Sequence, residues 1–224
     1  MFIGHYGLAL GSKRLAPGVS LGALFLAAQF ADLLWPTLVL VGVESFTIRP
    51  GITAVTPLNF EHYPYSHSLL ALIVWGALFG LVYRIVISSS RRAALVLFAL
   101  VVSHWVLDVV VHRPDMPLAP GLGTRIGFGL WNSLPGTLAV EFLLFGIGAV
   151  GYLKSTAARD RIGSIGSWAL LLFLAIVELA NLLGPPPPSV LAVTWSAQAL
   201  WLLVLWGYWV DRHRDPIARY LSRG

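Results

Sequence analysis

The chain has 224 residues, of which 57% are hydrophobic and only 11% charged, with a mean hydropathy of +0.78; a balance this apolar excludes an ordinary soluble domain and leaves an integral membrane protein. The absence of cysteine excludes disulfides and thiolate metal sites, so any metal has to be held by His, Asp or Glu. The net charge of +5 does not point to nucleic acid, because the basic residues are scattered among loops without an interleaved aromatic and basic face.

Residues 2–11 are apolar but too short to cross a bilayer unaided, since a hydrocarbon core of about 30 Å needs roughly 20 residues of helix. The turn "SKRLAPG" follows, which predicts a short N-terminal re-entrant or interfacial helix. Lys13 and Arg14 come after this run and not before it, so no cleaved signal is expected. Five stretches reach spanning length, 17–43, 67–88, 93–113, 134–154 and 164–183, and a sixth runs over 189–210. The expected fold is an all-α integral membrane protein with about six transmembrane helices, a single domain over residues 1–224. "GPPPP" at 184–188 makes a stiff turn that cannot continue a helix.

Loops holding Arg91 and Arg92, then Lys154, Arg159 and Arg161, and the tail with Arg212, Arg214, Arg219 and Arg223 alternate with loops holding only Arg49, Arg113 and Arg125. The positive-inside rule makes the first set cytoplasmic. The expected location is a bacterial-type inner membrane, with the 44–66 loop and the C-terminal end of helix 93–113 on the outer, periplasmic side.

Ionisable side chains are costly inside a bilayer, about 2.5–3.5 kcal/mol at mid-membrane on insertion scales, so each needs a reason. "SHWVLDVVVHRPD" at 103–115 carries His104, Asp108 and His112 at intervals of four, which puts all three on one helix face. Asp32 lies inside the first long span, and "EHYPYSHS" supplies Glu61, His62 and His67 before the next helix, with Ser66 as its N-cap. If residues 2–11 descend from the outer half toward Lys13, His5 and Asp32 meet at similar depth. Imidazole and carboxylate together suit zinc, manganese or iron. Residues 1–115 therefore carry the expected metal site and 134–210 supporting helices. Glu178 with Asn181 is expected to cross-link helices by hydrogen bonds, and Glu141 to reach the site as a partner of a ligating histidine.

These residues resemble the membrane-bound metal-dependent hydrolase family, small inner-membrane proteins with an early Gly-His, an aspartate motif, a His-x4-His-Ser segment and Ser-His-x3-Asp. Here the motifs read Gly4-His5, Asp32, His62-x4-His67-Ser68 and Ser103-His104-x3-Asp108. The family's aspartate motif is typically Asp-x-Asp, where this chain has Asp32-Leu33-Leu34, and "YPYS" stands between the histidines in place of the usual Arg-Gly-x-Thr. The resemblance implies that His5, Asp32, His67, His104 and Asp108 bind a divalent metal ion, with zinc first and manganese or iron as alternatives. Glu61 or His62 would act as general base, Asp115 being the weaker candidate, on an amphiphilic substrate such as a lipid phosphoester drawn from the bilayer.

Two other classes fit the same residues. A His–Asp-stapled bundle would serve as a non-catalytic accessory subunit of a larger membrane complex, with Trp168, Trp195, Trp201, Trp206 and Trp209 as interfacial belts or packing faces. An ion or proton transporter would use the row His104, Asp108, His112, but the chain lacks paired broken helices in corresponding halves.

Overall fold

The computed structural model describes residues 1–217; the tail arginines Arg219 and Arg223 lie outside the described residues. The chain begins with α1 (Ile3–Ser12), then α2 (Leu21–Ala28) and α3 (Phe30–Leu40). A hairpin of β1 (Ser45–Ile48) and β2 (Leu58–His62) leads into the short α4 (Pro64–His67). The long helices α5 (Leu69–Val86) and α6 (Arg91–Val111) follow. A second hairpin, β3 (Met116–Pro117) with β4 (Arg125–Ile126), precedes α7 (Leu134–Ser155). After β5 (Thr156–Ala158) come α8 (Arg161–Leu183), α9 (Val190–Gln198) and α10 (Leu200–Arg212). The strand β6 (Arg214–Pro216) pairs with β5. This is an all-α membrane protein with five helices long and apolar enough to cross a bilayer, or six if the bent pair α2–α3 counts as one span.

Helix starts follow local chemistry. Ser20, Ser68, Ser90, Ser133 and Ser189 each accept the N–H three residues on, so one otherwise unpaired donor per helix is satisfied. The cap of α5 is thus Ser68 and not Ser66, which lies inside α4 and turns its hydroxyl elsewhere.

The expected single helix over 17–43 is two helices bent by 57° at Gln29. Within α3, Pro36 has no N–H to give to the carbonyl four residues back, that of Asp32. The span predicted over 189–210 is present as Val190–Arg212, with a one-residue interruption at Ala199 separating α9 from α10.

Glycine sets the closest helix approaches. A Cβ on Gly148 of α7 would collide with the Gly7 carbonyl of α1, and one on Gly7 would lie 2.6 Å from the Leu144 carbonyl oxygen. The half-length helix α1 is therefore sheltered by direct backbone contact with α7, which answers how a ten-residue segment sits among spanning helices. Its C-terminal end is marked by Lys13, whose Nζ lies 2.7 Å from Asp211 Oδ2 at the end of α10. The ends of α7 and α10 meet there through β5 and β6, close to Lys154, Arg161 and Arg212. The two remaining hairpins, β1–β2 and β3–β4, stand at the other end of the bundle.

Candidate metal centre

The helix break between α2 and α3 places Asp32. With the helix interrupted at Gln29, the Ala28 carbonyl accepts from His104 Nδ1 at 2.8 Å. Asp32 falls in the first turn of α3, where the helix dipole favours a negative charge. His104 and Asp108 lie one turn apart on the buried face of α6, with His112 as its C-cap. His67 closes α4, and His5 comes from α1.

Asp108 is the hub. Its Oδ2 lies 3.2 Å from His104 Nε2, 3.9 Å from His112 Nε2 and 4.0 Å from His67 Nε2. Asp32 Oδ1 lies 3.3 Å from His67 Nε2 and 3.7 Å from His104 Nε2. Around a tetrahedral ion with bonds of about 2.0–2.1 Å, ligand atoms sit about 3.3–3.4 Å apart; the His104–Asp108 and Asp32–His67 separations match that spacing, whereas His112 and His67 lie farther from Asp108. His104 Nε2 is fully buried yet makes no hydrogen bond of acceptable geometry among the described residues. The nearest acceptors to this nitrogen are Asp108 Oδ2 at 3.2 Å and Asp32 Oδ1 at 3.7 Å. The donor set of imidazole nitrogen and carboxylate oxygen fits a divalent metal.

The far nitrogen of each ring is fixed. His104 Nδ1 is held by the Ala28 carbonyl and His112 Nδ1 by Asp115 Oδ1 at 2.9 Å. His67 Nδ1 lies 2.7 Å from Ser66 Oγ, which in turn donates to Glu44 Oε2 at 2.5 Å. Such outer partners set ring orientation and tautomer around metals. Glu44 also accepts the Tyr65 and Ser66 N–H groups, so one buried carboxylate shapes the whole α4 turn.

His5 addresses the other side of Asp108. Its Nε2 lies 3.1 Å from Oδ1, and its ring stacks on that of His104 with centroids 3.8 Å apart. The Met1 amino nitrogen lies 2.7 Å from the same oxygen. The structure thus groups His5, His104 and Asp108, and separately Asp32, His67 and His104, within ion-binding distance.

Glu61 and His62 are placed elsewhere. Both are exposed on β2; Glu61 bonds Thr47 at 2.9 Å and Asn59 at 3.0 Å, which ties the outer hairpin together. Neither belongs to the cluster or to the lining of the adjoining cavity. Glu141 reaches the N-terminal turn of α1 and no ring: it accepts from Phe2 N at 2.9 Å and Gly4 N at 3.0 Å. Glu178 Oε1 is buried with no hydrogen-bond partner, so the expected cross-link to Asn181 is not made through that atom. Leu34 is two residues from Asp32 on a helix, about 200° around it, so the missing second aspartate of the motif removes no ligand from this centre.

Sequence reading missed Glu44 and gave His112 no role in the hydrolase site. Glu44 has no motif around it, whereas the i+8 spacing of His112 from His104 was a usable signal. His112 is buried, and burial lowers its pKa against the opposing pull of the Asp115 hydrogen bond.

A polytopic all-α protein with a buried His–Asp cluster at one end of its bundle is the class that fold and geometry define. A family model described as YdjM inner membrane protein matches residues 3–185, and the chain belongs to that family of inner-membrane proteins. No curated protein and no solved structure matches it.

Proposed function

We propose that this protein is a metal-dependent hydrolase of the inner membrane, acting on an amphiphilic, lipid-type phosphoester from the outer face. The observation that carries the reading is the pair of His–Asp groups that share His104, namely His5, His104 and Asp108, and Asp32, His67 and His104, with Asp32, His67 and Asp108 lining a cavity. His5, Asp32, His67, His104 and Asp108 would hold one or two ions, in the two groups that share His104, with zinc the first candidate and manganese or iron the alternatives. When bound, such an ion polarises the scissile group and lowers the pKa of a bound water toward neutrality.

The chain's own residues do the rest. Ala28 and the Ser66–Glu44 pair keep two imidazoles turned toward the centre, and the two carboxylates offset the cation's charge. His112 lines the cavity with Nδ1 engaged by Asp115, so Nε2 is the atom free to take a proton from water or return one to the leaving group. This role passes from Glu61 and His62, whose side chains are exposed on the hairpin, to the His112–Asp115 pair. The outer orientation rests on the basic ends of α6, α7, α8 and α10 lying opposite the cluster.

The test is turnover. Protein in nanodiscs of mixed phospholipids, loaded with zinc or stripped by chelator, is assayed by mass spectrometry for released headgroups. Metal-dependent release is expected, with His112→Ala slower by about 10²–10⁴-fold. No metal-dependent release from phosphoester, ester or amide lipids would reject the reading in favour of a non-catalytic accessory bundle. Glu44→Gln and Ser66→Ala are each expected to weaken metal retention by about 10–100-fold, measured by competition with a chromogenic chelator; unchanged retention would remove the relay from the account.

A further inference from the structure

The cavity beside the cluster is far larger than a hydrolytic water needs. Its volume is about 680 Å³, within the range of about 300–1,000 Å³ that accommodates whole organic ligands. From Asp32, Asp108 and His112 it runs past Glu141 and Glu178 into the gap between α8 and the α9–α10 pair. Its walls there are Phe173, Val177, Leu200, Leu203 and Trp206. Phe173 and Leu202 line the cavity and are also 43% and 65% exposed on the outside of the bundle. Both belong to helices apolar enough to lie in the bilayer, so the gap opens sideways toward lipid. Phe173 of α8 packs against Trp206 of α10 at one wall, with ring centroids 5.5 Å apart.

Glu178 interrupts this apolar stretch, with Asn181 and Ser196 also in the lining and Trp206 Nε1 a second buried polar atom without a partner among the described residues. Glu178 is 1% exposed, lines the cavity, and has an Oε1 without a hydrogen-bond partner among the described residues. A buried polar atom left unpaired is destabilising; the α1 backbone at Ile3 bears on the Glu178 carboxyl, but no donor bonds Oε1 among the described residues. The space in front of it is where a donor would come from.

We propose that the cavity receives a single hydrocarbon chain of an amphiphile, admitted sideways between α8 and α10, with a hydroxyl or ammonium hydrogen of the same molecule bonded to Glu178. The chain lies along Val177, Leu203 and Trp206, and the polar end faces the His–Asp cluster. The inference deepens the hydrolase reading, on which only the fate of the polar end rests. The hydrocarbon occupant follows from the apolar walls and the lateral opening, and the polar hydrogen from the empty acceptor.

Photocrosslinking tests it. The full-length protein in phosphatidylcholine nanodiscs is irradiated with hexadecyl probes carrying a diazirine near the chain end and a hydroxyl, an amine or a methyl ether at the head. Cross-linked peptides are then mapped by mass spectrometry. Labelling of cavity residues on α8 and α10 is expected, with the hydroxyl or the amine exceeding the ether by about tenfold; which of the two leads identifies the donor. Leu203→Trp and, from the opposite wall, Val177→Phe should each abolish cavity labelling while lipid-facing Leu205 stays labelled, and two variants guard against one failing to fold. Glu178→Leu should retain labelling and lose the preference over the ether. Equal labelling by all three heads, or cavity labelling unchanged in both filled variants, would overturn the proposal. The readout needs neither metal nor turnover: labelling without hydrolysis keeps this inference and removes the hydrolase, and hydrolysis without cavity labelling does the reverse.

Discussion

Gly148→Leu is expected to empty the metal centre without altering a ligand. The α1–α7 contact is backbone against backbone, with the Gly7 carbonyl where the new Cβ would stand. A flexible side chain could turn aside, whereas a helical carbonyl cannot, so α1 has to move as a unit. That movement takes His5 from Asp108 and breaks the bonds from Phe2 and Gly4 to Glu141. Overpacking of this kind costs about 1–3 kcal/mol and at times more. The expected result is a lower unfolding temperature in detergent and metal retention reduced by at least about tenfold. Gly146→Ala is the control: a Cβ there meets nothing within 4 Å, and replacing a mid-helix glycine by alanine gains about 0.8–1.0 kcal/mol of helix propensity. Wild-type stability and metal retention in Gly148→Leu would show that α1 does not depend on this contact.

Asp108→Ala is expected to have the largest single effect. One carboxylate faces the Met1 amino group, His5, His104, His67 and His112, and its loss leaves that set of nitrogens without their shared counter-charge. Removing one partner of a buried ionic arrangement costs about 3–5 kcal/mol. Asp108→Asn separates charge from shape. It keeps one acceptor oxygen and nearly the same volume, so it should recover much of the stability but not the metal, because a neutral amide is a poor ligand beside a carboxylate. Thermal unfolding of both variants, each with its metal content, checks the split. Equal stability of the two would mean that the charge of Asp108, and not its shape or acceptor oxygen, carries its contribution to the fold.

Much of this was legible in the sequence because single helices report themselves. The intervals His104, Asp108 and His112 are local, and the run Leu69–Val86 is apolar from end to end. The placement of His5 was open in the sequence: ten residues reach about halfway across a hydrocarbon core, which allows His5 the depth of Asp32 but does not choose between a re-entrant arm and an interfacial helix. What could not be read depends on pairs distant in the chain. Nothing near Gly7 announces Gly148, and nothing near Glu44 announces that its loop folds back under Ser66. The bend at Gln29 was hidden because both sides of it are apolar, and a hydropathy window sees one span. Glu61 and His62 looked like site residues because they adjoin His67, but β2 turns them to the surface while α4 turns His67 inward. The C-terminal half, read as supporting helices, lines most of the apolar part of the cavity; shape formed between α8 and α10 leaves no motif in either.

The most direct test of the central claim is the metal content of the wild-type protein, purified in detergent without chelator and measured by inductively coupled plasma mass spectrometry beside His104→Ala and Asp108→Ala, each verified as folded by size-exclusion chromatography. The account predicts near-stoichiometric zinc, manganese or iron in the wild type and its loss from both variants. A wild-type protein that carries no metal and takes none up on reloading, or variants that retain it in full, would contradict it.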